Sequence, residues 1–134
     1  MKEKIKVLIT RKKKWITKRA KQSSNIEYII EKMAPGVYEF IDGVGEENII
    51  MQVEKCSPEI IFIVPYAQMD GLNLLRQIKR LQPTANVFVF LLNIIDNEEE
   101  TIDQYMSLGA YKCFLPPLNI NTLVHDMYVS LNLE

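Results

Sequence analysis

The chain has 134 residues, 48% of them hydrophobic and 25% charged, with a formal net charge of −1. That length suits one domain, long enough to hide roughly two thirds of the surface its unfolded chain exposes. The longest apolar runs, Ile60–Pro65 and Val87–Leu92, are strand-sized and far below the ~18 residues that cross a bilayer, which excludes a membrane span. Two cysteines, Cys56 and Cys113, are too few for a disulfide framework and are read as reduced thiols in core or edge positions. The opening Met1-Lys2-Glu3-Lys4 has no apolar signal region, so a cytoplasmic location is expected.

The charge is unevenly placed. Residues 1–21 carry ten Lys/Arg against one Glu, a formal +9; residues 22–134 carry six against sixteen Asp/Glu, a formal −10. Such segregation marks a candidate contact surface.

In chain order, Ile5 to Ile9 reads as a buried strand. A basic stretch, Arg11 to Lys21, follows it. Ser23, Ser24 and Asn25 offer N-cap oxygens, with Glu27 at capping-box spacing from Ser24. The helix after them aligns Ile26, Ile29, Ile30 and Met33, and Pro35-Gly36 ends it. Val37 to Ile41 alternates as a second strand closed by a turn at Asp42-Gly43. Glu46 to Lys55 is a helix with Ile49, Ile50 and Val53 inward. Ile60 to Val64 is nearly all apolar, as in a parallel strand covered on both faces. The helix after Asp70-Gly71 turns Leu72, Leu75, Ile78 and Leu81 inward. Val87 to Leu92 is a fourth strand, Glu98 to Leu108 a helix ended by Gly109, and Cys113 to Leu115 a short fifth strand. Ile120 to Leu131 is the last helix, capped by Asn119 or Asn121. Five β-α alternations with apolar middle strands predict a parallel sheet with helices on both faces and a single domain over 1–134.

Residues 58–79, PEIIFIVPYAQMDGLNLLRQIK, resemble the stretch PDLVLLDxxMPxMDGLELLRxI of two-component receiver domains. Residues 108–124, LGAYKCFLPPLNINTLV, are similar to the receiver segment AGADDYLLKPFDPEELL. The resemblance spans almost the whole chain and is weakest over 11–37. It implies a flavodoxin-like (βα)5 fold with strand order 2-1-3-4-5. Among degenerate receivers the chain looks most like the N-terminal domain of the tight-adherence pilus assembly proteins (TadZ/CpaE). There, an atypical receiver precedes a MinD-like ATPase and serves dimerisation or polar placement.

Open α/β sheets work at the carboxyl ends of their strands. The resemblance places five chemical elements there, and each is altered in this chain. The acidic pair that holds magnesium aligns with Thr10-Arg11-Lys12. The phosphate-accepting aspartate aligns with Val64, or with Ile63 in the other register of a loop one residue short. The Thr/Ser that bonds the phosphoryl group aligns with Leu91, and the fifth-strand aromatic with Cys113. The lysine before a cis-proline aligns with Pro116, ahead of Pro117. A hard cation needs oxygen ligands, and Arg11 or Lys12 would repel it. The resemblance therefore implies a regulatory or protein-interaction module that acts without phosphorylation, with no cofactor or metal. No nucleophile–base pair, Gly-rich phosphate loop or metal cluster suggests an enzyme.

Arg11, Lys12, Lys13, Lys14 and Trp15 are candidates for contact with an anion or a partner. A phosphate-bearing ligand such as a nucleotide, a partner protein or membrane surface, and nucleic acid through residues 11–21 each fit this charge. A solvated first helical turn fits it equally. Trp15 is read as a core-edge residue or a stacking platform, and His125, the lone histidine, as surface or interface. Glu98, Glu99 and Glu100 are read as a solvated first turn that suits the helix dipole. Receivers commonly pair through the fourth helix, fifth strand and fifth helix. On that face Ile102, Tyr105, Met106, Met127 and Tyr128 are candidates for a homodimer surface or for internal packing.

Overall fold

The computed structural model describes residues 3–11, 25–65, 70–91 and 97–131. Five strands and five helices alternate: β1 (Ile5–Arg11), α1 (Asn25–Met33), β2 (Tyr38–Val44), α2 (Glu46–Cys56), β3 (Ile60–Ile63), α3 (Gly71–Leu81), β4 (Asn86–Phe90), α4 (Glu98–Ser107), β5 (Lys112–Phe114) and α5 (Ile120–Ser130). The strands form one parallel sheet in the order β2-β1-β3-β4-β5. This is the architecture expected from the apolar patterning and from the receiver resemblance. Ser24 of the predicted capping box lies outside the described residues.

Side chains alternate across a strand, so each strand feeds two cores. Leu8, Ile61, Ile63, Val87 and Val89 point to one face and pack with Ile49 and Val53 of α2, Leu74, Leu75 and Ile78 of α3, and Tyr105 of α4. Val7, Ile9, Ile60, Phe62, Phe88, Phe90 and Phe114 point to the other, against Ile30 of α1 and Leu123, Val124 and Met127 of α5. The second core is aromatic. Phe90 stacks on Phe114 with centroids 5.2 Å apart, and Phe62 meets Phe90 edge-on at 5.0 Å. Burying one such ring contributes about 1.5–3 kcal/mol. β3 is buried along its whole length, as its near-continuous apolar sequence predicts.

Three local expectations are corrected. Asp42-Gly43 is not a turn: β2 runs through it to Val44. A Cβ on Gly43 would approach Ile49 Cγ1 to 2.8 Å and Leu8 Cδ1 to 3.2 Å. The glycine therefore permits close packing of α2 on the strand. On α1, Ile29 and Met33 are exposed, and only Ile30 of the apolar stripe is fully buried. On α3, Leu81 is exposed and Leu74 is buried in its place. Leu81 is the last residue of α3, whereas Leu74 packs in the core against the sheet.

Capping sets the start of the two helices nearest the site. Asp70 Oδ1 accepts from Asn73 N–H at 3.0 Å, and Asn119 Oδ1 accepts from Thr122 N–H at 3.1 Å, which selects Asn119 as the cap of α5. Each such cap is worth about 1 kcal/mol.

Candidate functional site

The carboxyl ends of β1, β3, β4 and β5 bring the altered positions to one rim of the sheet. β1 closes with Thr10 and Arg11. Thr10 is the buried polar side chain of the described core, and its Oγ1 accepts from Val64 N–H at 2.9 Å. This bond ties the end of β1 to the chain leaving β3. A hydroxyl at the end of an apolar strand was the only sequence signal for it. Lys12, Lys13, Lys14 and Trp15, the rest of the candidate anion or partner contact, lie outside the described residues.

Val64 is half-buried and packs against the aromatic core. Leu91 is buried, and its N–H donates to Phe114 C=O at 2.9 Å, so the β4–β5 ladder runs one step past β4. Cys113 pairs with Val89 in the β4–β5 register and is half-buried in the aliphatic core. Burial pushes its thiol up to about 11. At that value the thiol stays protonated at neutral pH and is a poor nucleophile. Pro116 is exposed and joined to Pro117 by the cis bond that the X-Pro sequence allowed.

Asp70 and Tyr105 complete the rim. Asp70 is exposed and caps α3. Tyr105 reaches across from α4 so that its hydroxyl lies against Gly71, the first residue of α3, where a Cβ would collide with it. Burial, then the nearby Cys113 and Asp70, push the Tyr105 hydroxyl up to about 12. Sequence reasoning did not identify this contact, because periodicity places Tyr105 on a face of α4 without revealing what lies beyond it.

The structure divides the candidate dimer face. Tyr105 and Met127 are buried in the two cores and are not available to a second copy. A tyrosine and a methionine on the apolar sides of α4 and α5 satisfy internal packing, which the helical period does not distinguish from an interface. Met106 is 42% exposed, whereas Ile102 and Tyr128 are partly buried against the cores. Tyr111, just before β5, is also exposed and stacks on Phe88 at 5.2 Å. Glu98, Glu99, Glu100 and His125 are exposed.

No family model matches the chain, and no curated protein matches it in sequence. Solved structures do. The signal receiver domain of a DNA-binding response regulator from Colwellia psychrerythraea superposes with a TM-score of 0.75 at 17% identity, covering 96% of this chain and 98% of that one. The receiver domain of NtrX from Brucella abortus gives 0.74 at 17% identity, with 96% and 99% covered. A CheY-like receiver domain protein from Methanospirillum hungatei gives 0.75 at 15%, with 97% and 95% covered. The chain has the receiver fold.

Within the receiver fold this rim is where an acidic pair would hold magnesium. The described residues of this rim do not fit that ion. Thr10 Oγ1 already accepts Val64 N–H, Val64 has no oxygen in its side chain, and Asp70 is engaged in capping. Asp42, the nearest acid on β2, is exposed. Among the described residues no three His, Cys, Asp or Glu side chains are grouped to hold a metal. Mg²⁺ asks for near-octahedral oxygen ligation, usually anchored on carboxylates. Among the described residues no helix is long and apolar enough to cross a membrane.

Proposed function

We propose that this chain is an atypical receiver module that regulates by contact and takes no phosphoryl group. The observation that carries the reading is the uncharged set Val64, Leu91, Cys113 and Pro116 at the rim positions aligned with receiver chemistry. In the sequence alignment the accepting carboxylate corresponds to Val64, or to Ile63 in the other register, the phosphate-reporting hydroxyl to Leu91 and the charge-pairing lysine to Pro116; Val64 is half-buried, Ile63 and Leu91 are buried and Pro116 is exposed. Phosphoryl transfer is almost wholly positioning and charge stabilisation. The described residues at these positions supply neither.

The scaffold that presents contact surfaces is intact. Its candidate contact face is α4, β5 and α5, with Met106 and Tyr111 exposed and Ile102 and Tyr128 partly so. A protein partner or a second copy of the chain is the occupant that these apolar side chains favour. Placement in a pilus-assembly system rests on the sequence resemblance alone.

The test is intact-mass measurement after incubation with acetyl phosphate and Mg²⁺. The expected result is an unchanged mass under conditions that phosphorylate a receiver carrying the aspartate. A Mg²⁺-dependent gain of one phosphoryl group would reject the reading.

A further inference from the structure

α4 is held to the fold by little. Tyr105 is its buried residue, with Ile102 only partly covered. Glu98, Glu99, Glu100, Asp103, Gln104, Met106 and Ser107 are exposed. Its neighbours are fixed more firmly: α3 buries Gly71, Leu74, Leu75 and Ile78, and α5 buries Leu123, Val124 and Met127. α4 also starts without a side-chain cap at Asn97, whereas α3 and α5 both have one.

Tyr105 concentrates what docking there is. Its ring lies in the aliphatic core, and its hydroxyl rests on Gly71 at the start of α3. One side chain thus joins the helix both to the core and to the start of α3. The small side chain of Cys113, also packed on this core, places no aromatic ring of its own beside it. Segments with few buried apolar contacts open locally, below the free energy of global unfolding.

We propose that α4 is a detachable helix and that Tyr105, seated on Gly71, is the pin that docks it. Release of the pin frees α4 and uncovers the aliphatic edge formed by Val89, Leu91 and Cys113, while the rest of the sheet stays folded. As a device for changing contacts without phosphate, this builds on the regulatory reading above. The pin itself does not depend on it, since the phosphodonor test and the test below use different observables.

Amide hydrogen exchange on the intact chain tests it. In the unmodified protein, α4 amides are expected to exchange at least about tenfold faster than those of β1 and β3, through local opening. Tyr105→Ala should lower α4 protection by about a further hundredfold and leave β1 and β3 protected, as loss of a local anchor requires. Gly71→Ala should also loosen α4, although alanine is the better helix former, because its Cβ strikes the Tyr105 hydroxyl. Adding Tyr105→Phe, which removes that oxygen, should restore protection. The proposal is overturned if α4 of the unmodified protein exchanges only at the global rate of the strands. It also fails if Gly71→Ala leaves α4 protection unchanged, or if Tyr105→Ala lowers protection equally in every element.

Discussion

At the amino rim of the sheet, polar side chains are busy holding loops. Lys6 Nζ donates to Cys56 C=O at 3.3 Å, and Lys79 Nζ donates to Pro83 C=O at 2.8 Å and Ala85 C=O at 2.9 Å. Gln82 Nε2 donates to Pro58 C=O, and Asn86 Nδ2 to Ser130 C=O at 3.0 Å. Among the described residues of the carboxyl rim, where this fold ordinarily works, side chains act as acceptors: Thr10 Oγ1 accepts from Val64 N–H, Asn48 Oδ1 from Val44 N–H at 3.0 Å and Asp70 Oδ1 from Asn73 N–H, while Val64, Leu91, Cys113 and Pro116 bring no charge. The two rims therefore hold the backbone in opposite senses, with side-chain donors meeting carbonyls at the amino rim and side-chain acceptors meeting N–H groups at the carboxyl rim.

Alkaline titration probes this contrast with the largest expected effect. Burial raises the Cys113 thiol from 9.0 to about 11, and the Tyr105 and Tyr38 hydroxyls from 10.0 to about 12. The folded chain holds these protons more tightly than the unfolded one. Their contribution is therefore whole below the unfolded values and is lost as pH rises through the folded ones. The melting temperature should be level below pH 9 and fall steeply above pH 10. Cys113→Ala should delay the onset, because it removes the group that titrates first. A melting temperature that stays level to pH 11 would mean that these three groups are not held dry in the folded chain.

The next effect belongs to the amino rim. Lys79→Met keeps the stem that packs over Gly109 but leaves two loop carbonyls without their donor. Burial already pulls this ammonium below the ordinary lysine value, which marks a partly dry position. A loss of about 2 kcal/mol in urea denaturation is expected. Thr10→Val, nearly the same shape, removes the acceptor for Val64 N–H and should cost about 1 kcal/mol. If Thr10→Val proves the more damaging, the carboxyl rim is the polar-dependent one and the contrast is reversed.

Much of the fold was legible because strands and helices repeat with different periods. Buried β3 and the two-faced alternation of β1 and β4 follow from residue order alone. The side-chain types at the aligned rim positions were legible too, since reading Val64, or Ile63 in the other register, against a carboxylate needs no coordinates. What escaped was of another kind. Asp42-Gly43 has the letters of a turn, yet the glycine serves the approach of Ile49. Tyr105 and Met127 have the letters of an interface, yet each fills a core. Thr10 and Lys79 act through backbone atoms far away in sequence, and local pattern does not reveal a partner that only tertiary packing supplies. Residues 12–15, the strongest charge signal, fall outside the described residues.

The central claim is that the carboxyl rim has lost its affinity for a divalent ion and for the phosphoryl group that such an ion would hold. The most direct measurement is a ¹H–¹⁵N spectral titration of the chain with Mg²⁺ and then with beryllofluoride, a phosphoryl mimic. The account predicts that the amides of Thr10, Val64, Leu91 and Cys113 move no more than they do in a matched salt control. A saturable, one-to-one shift of those amides would contradict it.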